Sequence, residues 1–381
     1  VFGSPDRVLV KRGLAEFRSG RPVIFTSRSE KFLIALPVDG LDPARLHAFE
    51  HLCAPLRPRL VVTARRARAL GVESAGPVAL NLPDGVDIGM IHSLVADADA
   101  DEAVSVDGPA DERAAAAIEL AKIAQRLPAL LVADIESPAN ALVDPPLIVV
   151  ASEAVAAFRR NDIHSLEIAS EAKVPLQGGL STRFVVFRNA VGGGSVAVIV
   201  GDPDFSKPVP VRLHSACLTG DVFGSSRCDC GDQLRLALTR LKDEGGGVIL
   251  YLEQEGRGLG LASKMRAYAL QDAGLDTVDA NTTLGYDDDE RDYGIAARML
   301  QKLNCTRVVL LTNNPAKHNG LTEAGIEVVG RKPLHAPINV HNRRYMTAKA
   351  MRAGHELDHL MIALAAEASE PQLARTAEKV R

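Results

Sequence analysis

The chain is predicted to be an α/β (α+β) protein of two domains, each a mixed sheet with packed helices. Three observations predict it. In the first third, short apolar runs alternate with amphipathic helical stretches. From residue 174 the pattern changes to strands broken by glycine-rich turns. With 381 residues, 46% of them apolar, the chain is long enough for two or three buried cores.

The elements follow in order. Residues 1–20 form an amphipathic helix closed by Gly20, and RPVIF is a short strand. LDPARLHAFEHLCAPL is a helix with Asp42 as its cap and Pro43 at the first helical position. RLVVTA is a strand and ARRARALG a helix stopped by Gly71. DERAAAAIELAKIAQRL is helical, with Ala117, Leu120, Ile123 and Leu127 on one face, and LPALLVADI is a buried strand that closes a first domain near residue 136. The acidic segment DADADEAVSVDGPADE is expected to be a solvated loop, and 137–169 a connector with one short helix. The second domain, 170–365, opens with strands in VPLQGGLSTRFVVFRN, GGGSVAVIVGD and PVPVRLHSA. QLRLALTRLKDEG is a helix carrying Leu234, Leu238 and Leu241; GGVILYLEQ is a strand; LASKMRAYALQDAG and RDYGIAARMLQKLN are helices. TRVVLLT and IEVVGRKPL are strands, a helix begins near His341, and 366–381 is a polar tail.

Composition narrows the function classes. A formal charge of −4, from 44 basic and 48 acidic residues, points to neither a nucleic-acid nor a membrane-surface partner. Five cysteines in a long chain argue against a disulfide framework and for reduced thiols in the cytoplasm. The N-terminal stretch lacks the apolar core of a signal peptide, and no segment is long and apolar enough to span a bilayer.

Three of the five cysteines, Cys217, Cys228 and Cys230, fall within fourteen residues of the polar stretch RLHSACLTGDVFGSSRCDCGDQ. Soft thiolates at this spacing suit zinc, and three protein ligands leave a fourth position for a water whose pKa the metal lowers. The bland reading is three buried thiols. His214, at odd strand spacing from Cys217, is expected to pack or hydrogen-bond elsewhere. In EQEGRGLGLASKMRAY a strand, a glycine-rich turn and a helix make a phosphate-binding layout, with Gly256, Gly258 and Gly260 permitting close approach and Arg257, Lys264 and Arg266 available to an anion; an ordinary tight turn fits as well. DDDERDYG reads either as a solvated acidic turn or as an acid/base group, an arginine at a phosphate or a Mg²⁺ contact. LLTNNPAKHNG follows a buried strand, where Thr312, Asn313, Asn314 and Lys317 can meet a ligand, and Pro315 starts a helix.

Together these motifs resemble GTP cyclohydrolase II over about residues 170–360: RLHSACLTGD, RCDCG, QEGRGLGL, KMRAYALQD, DERD and LLTNNPAK. The resemblance implies an enzyme of riboflavin biosynthesis that opens the imidazole ring of GTP and releases formate and pyrophosphate. The product would be 2,5-diamino-6-(5-phosphoribosylamino)pyrimidin-4(3H)-one. It implies Cys217, Cys228 and Cys230 as zinc ligands, Tyr268 as an aid to ring opening, Asp289 as proton acceptor and Arg291 at the α-phosphate, covalently or electrostatically. Arg212, Leu213, His214, Ser215, Ala216, Gln233, Glu255, Gly256, Arg257, Thr277, Thr312 and Lys317 would contact GTP, with Mg²⁺ on the triphosphate, in a homodimer. Two positions depart from the family: Ala216 replaces a glutamate before the first zinc cysteine, and Ser263 replaces an asparagine. The alternatives are a variant that stops at a formamidopyrimidine or serves another purine or pyrimidine pathway, and a GTP-binding regulatory protein without turnover.

Residues 1–136 resemble 3,4-dihydroxy-2-butanone-4-phosphate synthase through EFRSGRPVIF, LDPARLHAFEHLCAPL, ARALGV and AAAAIELAKIAQRLPALLVADI. The acidic cluster that family places after its first strand is TSRSEKF here, with Glu30 its one acid, and no histidine lies between His92 and His164. The expectation is a domain that kept its fold and lost its chemistry.

Overall fold

The computed structural model describes residues 3–28, 31–100, 105–140, 143–189 and 193–352. Glu30, the tail 366–381 and the end of the last expected helix, from residue 353, lie outside the described residues. By their contacts the described residues form two units. The first draws on Val1–Glu167, Phe187–Gly194 and Glu253–Arg298, and the second on Ile168–Val186, Ser195–Leu252 and Met299–Arg381.

The N-terminal elements are α1 (Pro5–Arg18), β1 (Val23–Thr26), β2 (Phe32–Pro37), α2 (Pro43–Cys53), β3 (Arg59–Val62), α3 (Ala64–Ala69), β4 (Val78–Asn81), α4 (Ile88–Ala96), β5 (Ser105–Pro109), α5 (Glu112–Ile123), β6 (Ala129–Ile135), β7 (Val149–Ala151) and α6 (Ser152–His164). Helix starts are written locally. Asp42 accepts from Arg45 N with Pro43 behind it, Thr63 accepts from Arg66 N, and Asp111 accepts from Arg113 N and Ala114 N. The strands form one sheet in the order β5-β4-β3-β6-β2-β1-β7. All its pairs are antiparallel except β1 with β7.

Alternate residues of these strands enter two different apolar clusters, as a period of two requires. Ile24, Ile34, Leu60, Val62 and Leu131 join one with α2, α3 and α4 residues; Val23, Phe25, Leu33, Val61 and Leu130 join the other with α1, α5 and α6 residues. Helices therefore cover both faces of the sheet, which is why LPALLVADI reads as a continuous apolar run. The first cluster also takes in Leu259, Ala267, Ala280, Leu284 and Tyr286, from the 253–298 segment of the same unit.

The remaining elements are β8 (Glu167–Lys173), β9 (Thr182–Arg188), β10 (Val196–Gly201), β11 (Val209–Ser215), α7 (Cys230–Asp243), β12 (Gly246–Leu252), α8 (Leu261–Asp272), α9 (Thr277–Thr283), α10 (Gly294–Lys302), β13 (Arg307–Leu311), α11 (Pro315–Glu323), β14 (Glu327–Lys332) and α12 (Arg343–Arg352). Their sheet runs β14-β13-β11-β12-β10-β9-β8. Its first four strands are mutually parallel, and β10 is antiparallel to both β12 and β9. Leu234, Leu238 and Leu241 of α7 pack with Val198, Val200, Ile249 and Leu311.

The fold class is the one the sequence predicts; β2, β4, α4 and α9 are additions to the expected elements, and other stretches differ in detail. Residues 105–109, expected in a solvated acidic loop, form β5 against β4. Within the stretch read as a connector, Val149–Ala151 pairs with β1 and is followed by α6. Residues 167–173, before the expected first strand of the second domain, form β8. β5 and β8 are edge strands, largely exposed on both faces, and lack a buried face to impose alternation.

Candidate active site

In the second unit, β11 delivers its C-terminal end to the thiol cluster. Ala216 N still donates to Leu252 O of β12 at 2.8 Å, and Cys217 then begins the tight turn Leu218–Val222. Cys228 lies just before α7, and Cys230 is that helix's first residue, where the positive end of the helix dipole favours a thiolate. The three sulfurs lie within 4.8 Å of one another, and Cys217 and Cys228 Sγ are 3.7 Å apart. Zinc–thiolate bonds of about 2.3 Å at tetrahedral angles give sulfur separations of about 3.8 Å, so the set fits the metal. Gly220 makes room for it: a Cβ there would lie 2.9 Å from Cys228 Sγ and 3.1 Å from Cys217 Sγ. Hydrogen bonding with Cys217, before burial, pushes the Cys228 and Cys230 thiols up. Three thiolates at this spacing call for a cation. No histidine, aspartate or glutamate joins the set among the described residues.

Carboxylates brace the thiol loop from both sides. Asp221 accepts from Cys217 N at 2.9 Å, lies 3.1 Å from His214 Nε2 and accepts from Tyr251 OH at 3.0 Å. His214, buried and stacked on Tyr251, is therefore a hydrogen-bonded histidine, as its strand spacing predicts. Burial pushes its pKa down more than Asp221 raises it. Asp229, between Cys228 and Cys230, accepts from Lys349 Nζ of α12 at 2.7 Å and from Gln233 Nε2 at 2.5 Å. Gln233 Oε1 in turn accepts from Arg212 Nη2, whose Nη1 donates to Leu311 O at 3.0 Å. Lys317 Nζ donates to Leu213 O at 2.7 Å, and Thr312 Oγ1 accepts from Asn314 N. Arg212, Thr312 and Lys317 are all buried, Arg212 in the middle of β11, Thr312 just past β13 and Lys317 in α11, near the strand ends where α/β sheets present ligand groups. The Ser215 hydroxyl is buried with no hydrogen-bond partner among the described residues. The structure thus gathers Arg212, Leu213, His214, Ser215, Ala216, Gln233, Thr312 and Lys317 with the three cysteines in one unit.

The other predicted residues, Glu255, Gly256, Arg257, Tyr268, Thr277, Asp289 and Arg291, belong to the first unit. Gly256 and Arg257 both adopt left-handed backbone, φ 62° each, which is uncommon for arginine and turns the 255–258 loop sharply. Glu255 pairs with Lys264 at 2.9 Å, and Lys264 Nζ lies 5.7 Å from the ring centre of half-buried Tyr268 on α8. Arg257 Nη1 donates to Asp288 O at 3.3 Å, and Glu290 N donates to Arg257 O at 3.1 Å, so this loop packs on the loop of Asp289 and Arg291. Arg291 grips Asp289 with both Nε, 2.7 Å, and Nη2, 2.5 Å. Burial raises the Asp289 carboxyl, but the Arg291 guanidinium outweighs it and holds the group below the usual carboxylate range. Thr277 opens α9.

Several partners escaped the sequence reading. Asp221, Asp229, Tyr251 and Tyr293 touch predicted site residues, and Lys349 reaches them through Asp229. Asp229 had a signal, since it sits inside the RCDCG motif; Lys349, 120 positions away, had none. Ser263 bonds to the Tyr286 hydroxyl at 2.9 Å, which gives the departure from asparagine a structural partner.

A family model described as GTP cyclohydrolase II matches residues 167–333. A protein of Azospirillum brasilense named GTP cyclohydrolase-2 is 40% identical over 91% of this chain and 93% of its own length. One of Xylella fastidiosa with the same name is 38% identical over 94% and 89%. A third so named, of Azotobacter vinelandii, is 49% identical over 51% of this chain but 94% of its own length.

Proposed function

Since the chain belongs to the GTP cyclohydrolase II family, we propose that it is a zinc-dependent enzyme of riboflavin biosynthesis. It opens the imidazole ring of GTP, releases formate and pyrophosphate, and leaves 2,5-diamino-6-(5-phosphoribosylamino)pyrimidin-4(3H)-one. The observation that supports the metal chemistry is the set of three thiols within 4.8 Å of one another.

Cys217, Cys228 and Cys230 would hold zinc, which when bound supplies Lewis acidity and an activated water for attack at C8 of guanine. The remaining work falls to the chain's own groups. Tyr268 offers a hydroxyl to the opening ring. Asp289, ionised at neutral pH, receives a proton at its carboxylate. Arg291 stays protonated, and its role is electrostatic, at the α-phosphate. Arg212 and Lys317 supply buried positive charge, and Gln233 fixes the Arg212 fork. Leu213, His214, Ser215, Ala216, Glu255, Gly256, Arg257, Thr277 and Thr312 are assigned to GTP contacts by their places in the family motifs. Mg²⁺ accompanies the triphosphate as part of the substrate.

Residues 1–136 are proposed to be a synthase-like domain without its former chemistry, 137–169 a connector and 170–365 the catalytic domain of a cytoplasmic homodimer. No helix among the described residues is long and apolar enough to cross a membrane. Ala216 favours a second reading, in which a missing carboxylate beside Cys217 halts the reaction at a formamidopyrimidine. Both are tested by incubating the protein with GTP, zinc and magnesium and measuring formate, pyrophosphate and the pyrimidine. Equal yields of all three support the full reaction, and a pyrimidine that keeps its formyl group, with formate falling short of the GTP consumed, supports the truncated one. Intact GTP sinks both.

A further inference from the structure

The loop that carries Asp289 and Arg291 is held by the glycine-rich loop and, in addition, by N-terminal residues of its own unit. Thr63 Oγ1 donates to Gly285 O at 2.7 Å, and buried Arg66 donates to Thr283 O at 3.1 Å. Arg65 Nε donates to Asp287 Oδ1 at 2.8 Å, and Tyr286 OH donates to Arg126 O at 3.0 Å. A side chain at Gly285, φ +84°, would meet Thr63 Oγ1 at 3.0 Å and Pro128 Cγ at 3.3 Å.

Glu290 stands between the two proposed catalytic residues and is the centre of this mooring. Its Oε1 accepts from Lys122 Nζ of α5 at 2.6 Å and from Asp287 N at 3.0 Å. Its backbone N–H donates to Arg257 O, so one residue ties the catalytic loop to both α5 and the glycine-rich loop. Lys122 and Glu290 are only 14% and 10% exposed. Beside them lies a polar cavity of about 160 Å³, lined by Lys122, Gln125, Gln254, Tyr286 and Glu290 among others. Without its ammonium partner, the Glu290 carboxylate has space to swing, and its neighbours on either side move with it.

We infer that Lys122 of the N-terminal domain is a positioning residue for ring opening, fixing Asp289 and Arg291 through Glu290. This rests on the cyclohydrolase reading above. A domain without chemistry of its own is thereby assigned a part in its neighbour's reaction. A displacement near 1 Å costs on the order of 100-fold in rate, so Lys122→Met lowers kcat by about 10- to 100-fold. KM for GTP stays within about twofold, because Lys122 acts on geometry and not on ground-state binding. Lys122→Arg, which keeps the charge, restores most of the rate.

The test combines kinetics with amide hydrogen exchange on the full-length chain. In Lys122→Met and in Glu290→Gln, exchange in the peptide spanning residues 284–292 accelerates by about tenfold, as loss of a charged hydrogen bond predicts, while peptides of β11 and α7 are unchanged. That pattern, together with a fall in kcat at constant KM and rescue by arginine, supports the inference. Wild-type exchange or wild-type kcat in both variants overturns it, as does a loss shared equally by methionine and arginine. Wild-type protein that leaves GTP intact sinks the cyclohydrolase reading alone, since the exchange pattern still reports whether Lys122 orders the loop.

Discussion

Lys349 of α12 places its ammonium 2.7 Å from the carboxylate of Asp229, the residue between two of the three clustered thiols. Asp229 is 1% exposed and Lys349 8% exposed. Burial raises the Asp229 carboxyl, but Lys349 outweighs it and keeps the group ionised. Removing one member of such a pair leaves a buried charge uncompensated, at about 3–5 kcal/mol. Lys349→Met is therefore expected to lose that much stability in urea denaturation. Lys349→Met combined with Asp229→Leu is expected to lose clearly less than the sum of the single changes.

Metal content should follow the thiol set. Cys228→Ser is expected to purify with little zinc and no turnover, with far-ultraviolet circular dichroism like the wild type. Gly220→Ala, whose new methyl would press on Cys228 and Cys217 Sγ, is expected to weaken zinc binding without removing a ligand. Zinc per chain by atomic absorption decides both. Full occupancy in Cys228→Ser would refute the assignment.

The Arg291–Asp289 pair sets a pH dependence whose sign is fixed. A carboxylate depressed in the folded state contributes stability that is fully present above the unfolded pKa, about 3.9. That contribution is lost as pH falls through the lower folded value. The stability difference between wild type and Asp289→Asn should accordingly be flat from neutral pH down to about 5 and shrink only below about 4. Denaturation curves across this range measure it. Narrowing already near neutral pH would mean that burial, not Arg291, dominates.

The N-terminal domain is expected to form no 3,4-dihydroxy-2-butanone 4-phosphate from ribulose 5-phosphate, with or without Mg²⁺. Neither the acidic cluster nor the histidine its resemblance calls for is in the sequence. Detectable product by mass spectrometry would show that other residues have taken over.

Legibility in the sequence followed the range of the interactions. The clustering of Cys217, Cys228 and Cys230 was readable because the three lie close together in the chain. Asp42, Pro43 and the α7 leucines were readable because caps and helix faces are local too. Asp221, Tyr251 and Lys349 were not, since their partners are set by how strands and helices meet. β2 was missed because a six-residue apolar run beside a polar turn has no distinguishing period, and β5 and β8 because edge strands have no face to bury.

Tyr286, 1% exposed, is packed among the apolar residues of the N-terminal domain together with Leu259, Ala267, Ala280 and Leu284. Deleting residues 1–136 would return those side chains to water, at roughly 1.5–3 kcal/mol for each large one. The Azotobacter relative, matched over nearly its whole length by half of this chain, is a lineage in which that half stands without such a companion. In this chain the apolar side of α8 and α9 is covered by residues that precede it by more than a hundred positions, so the two stretches share one core.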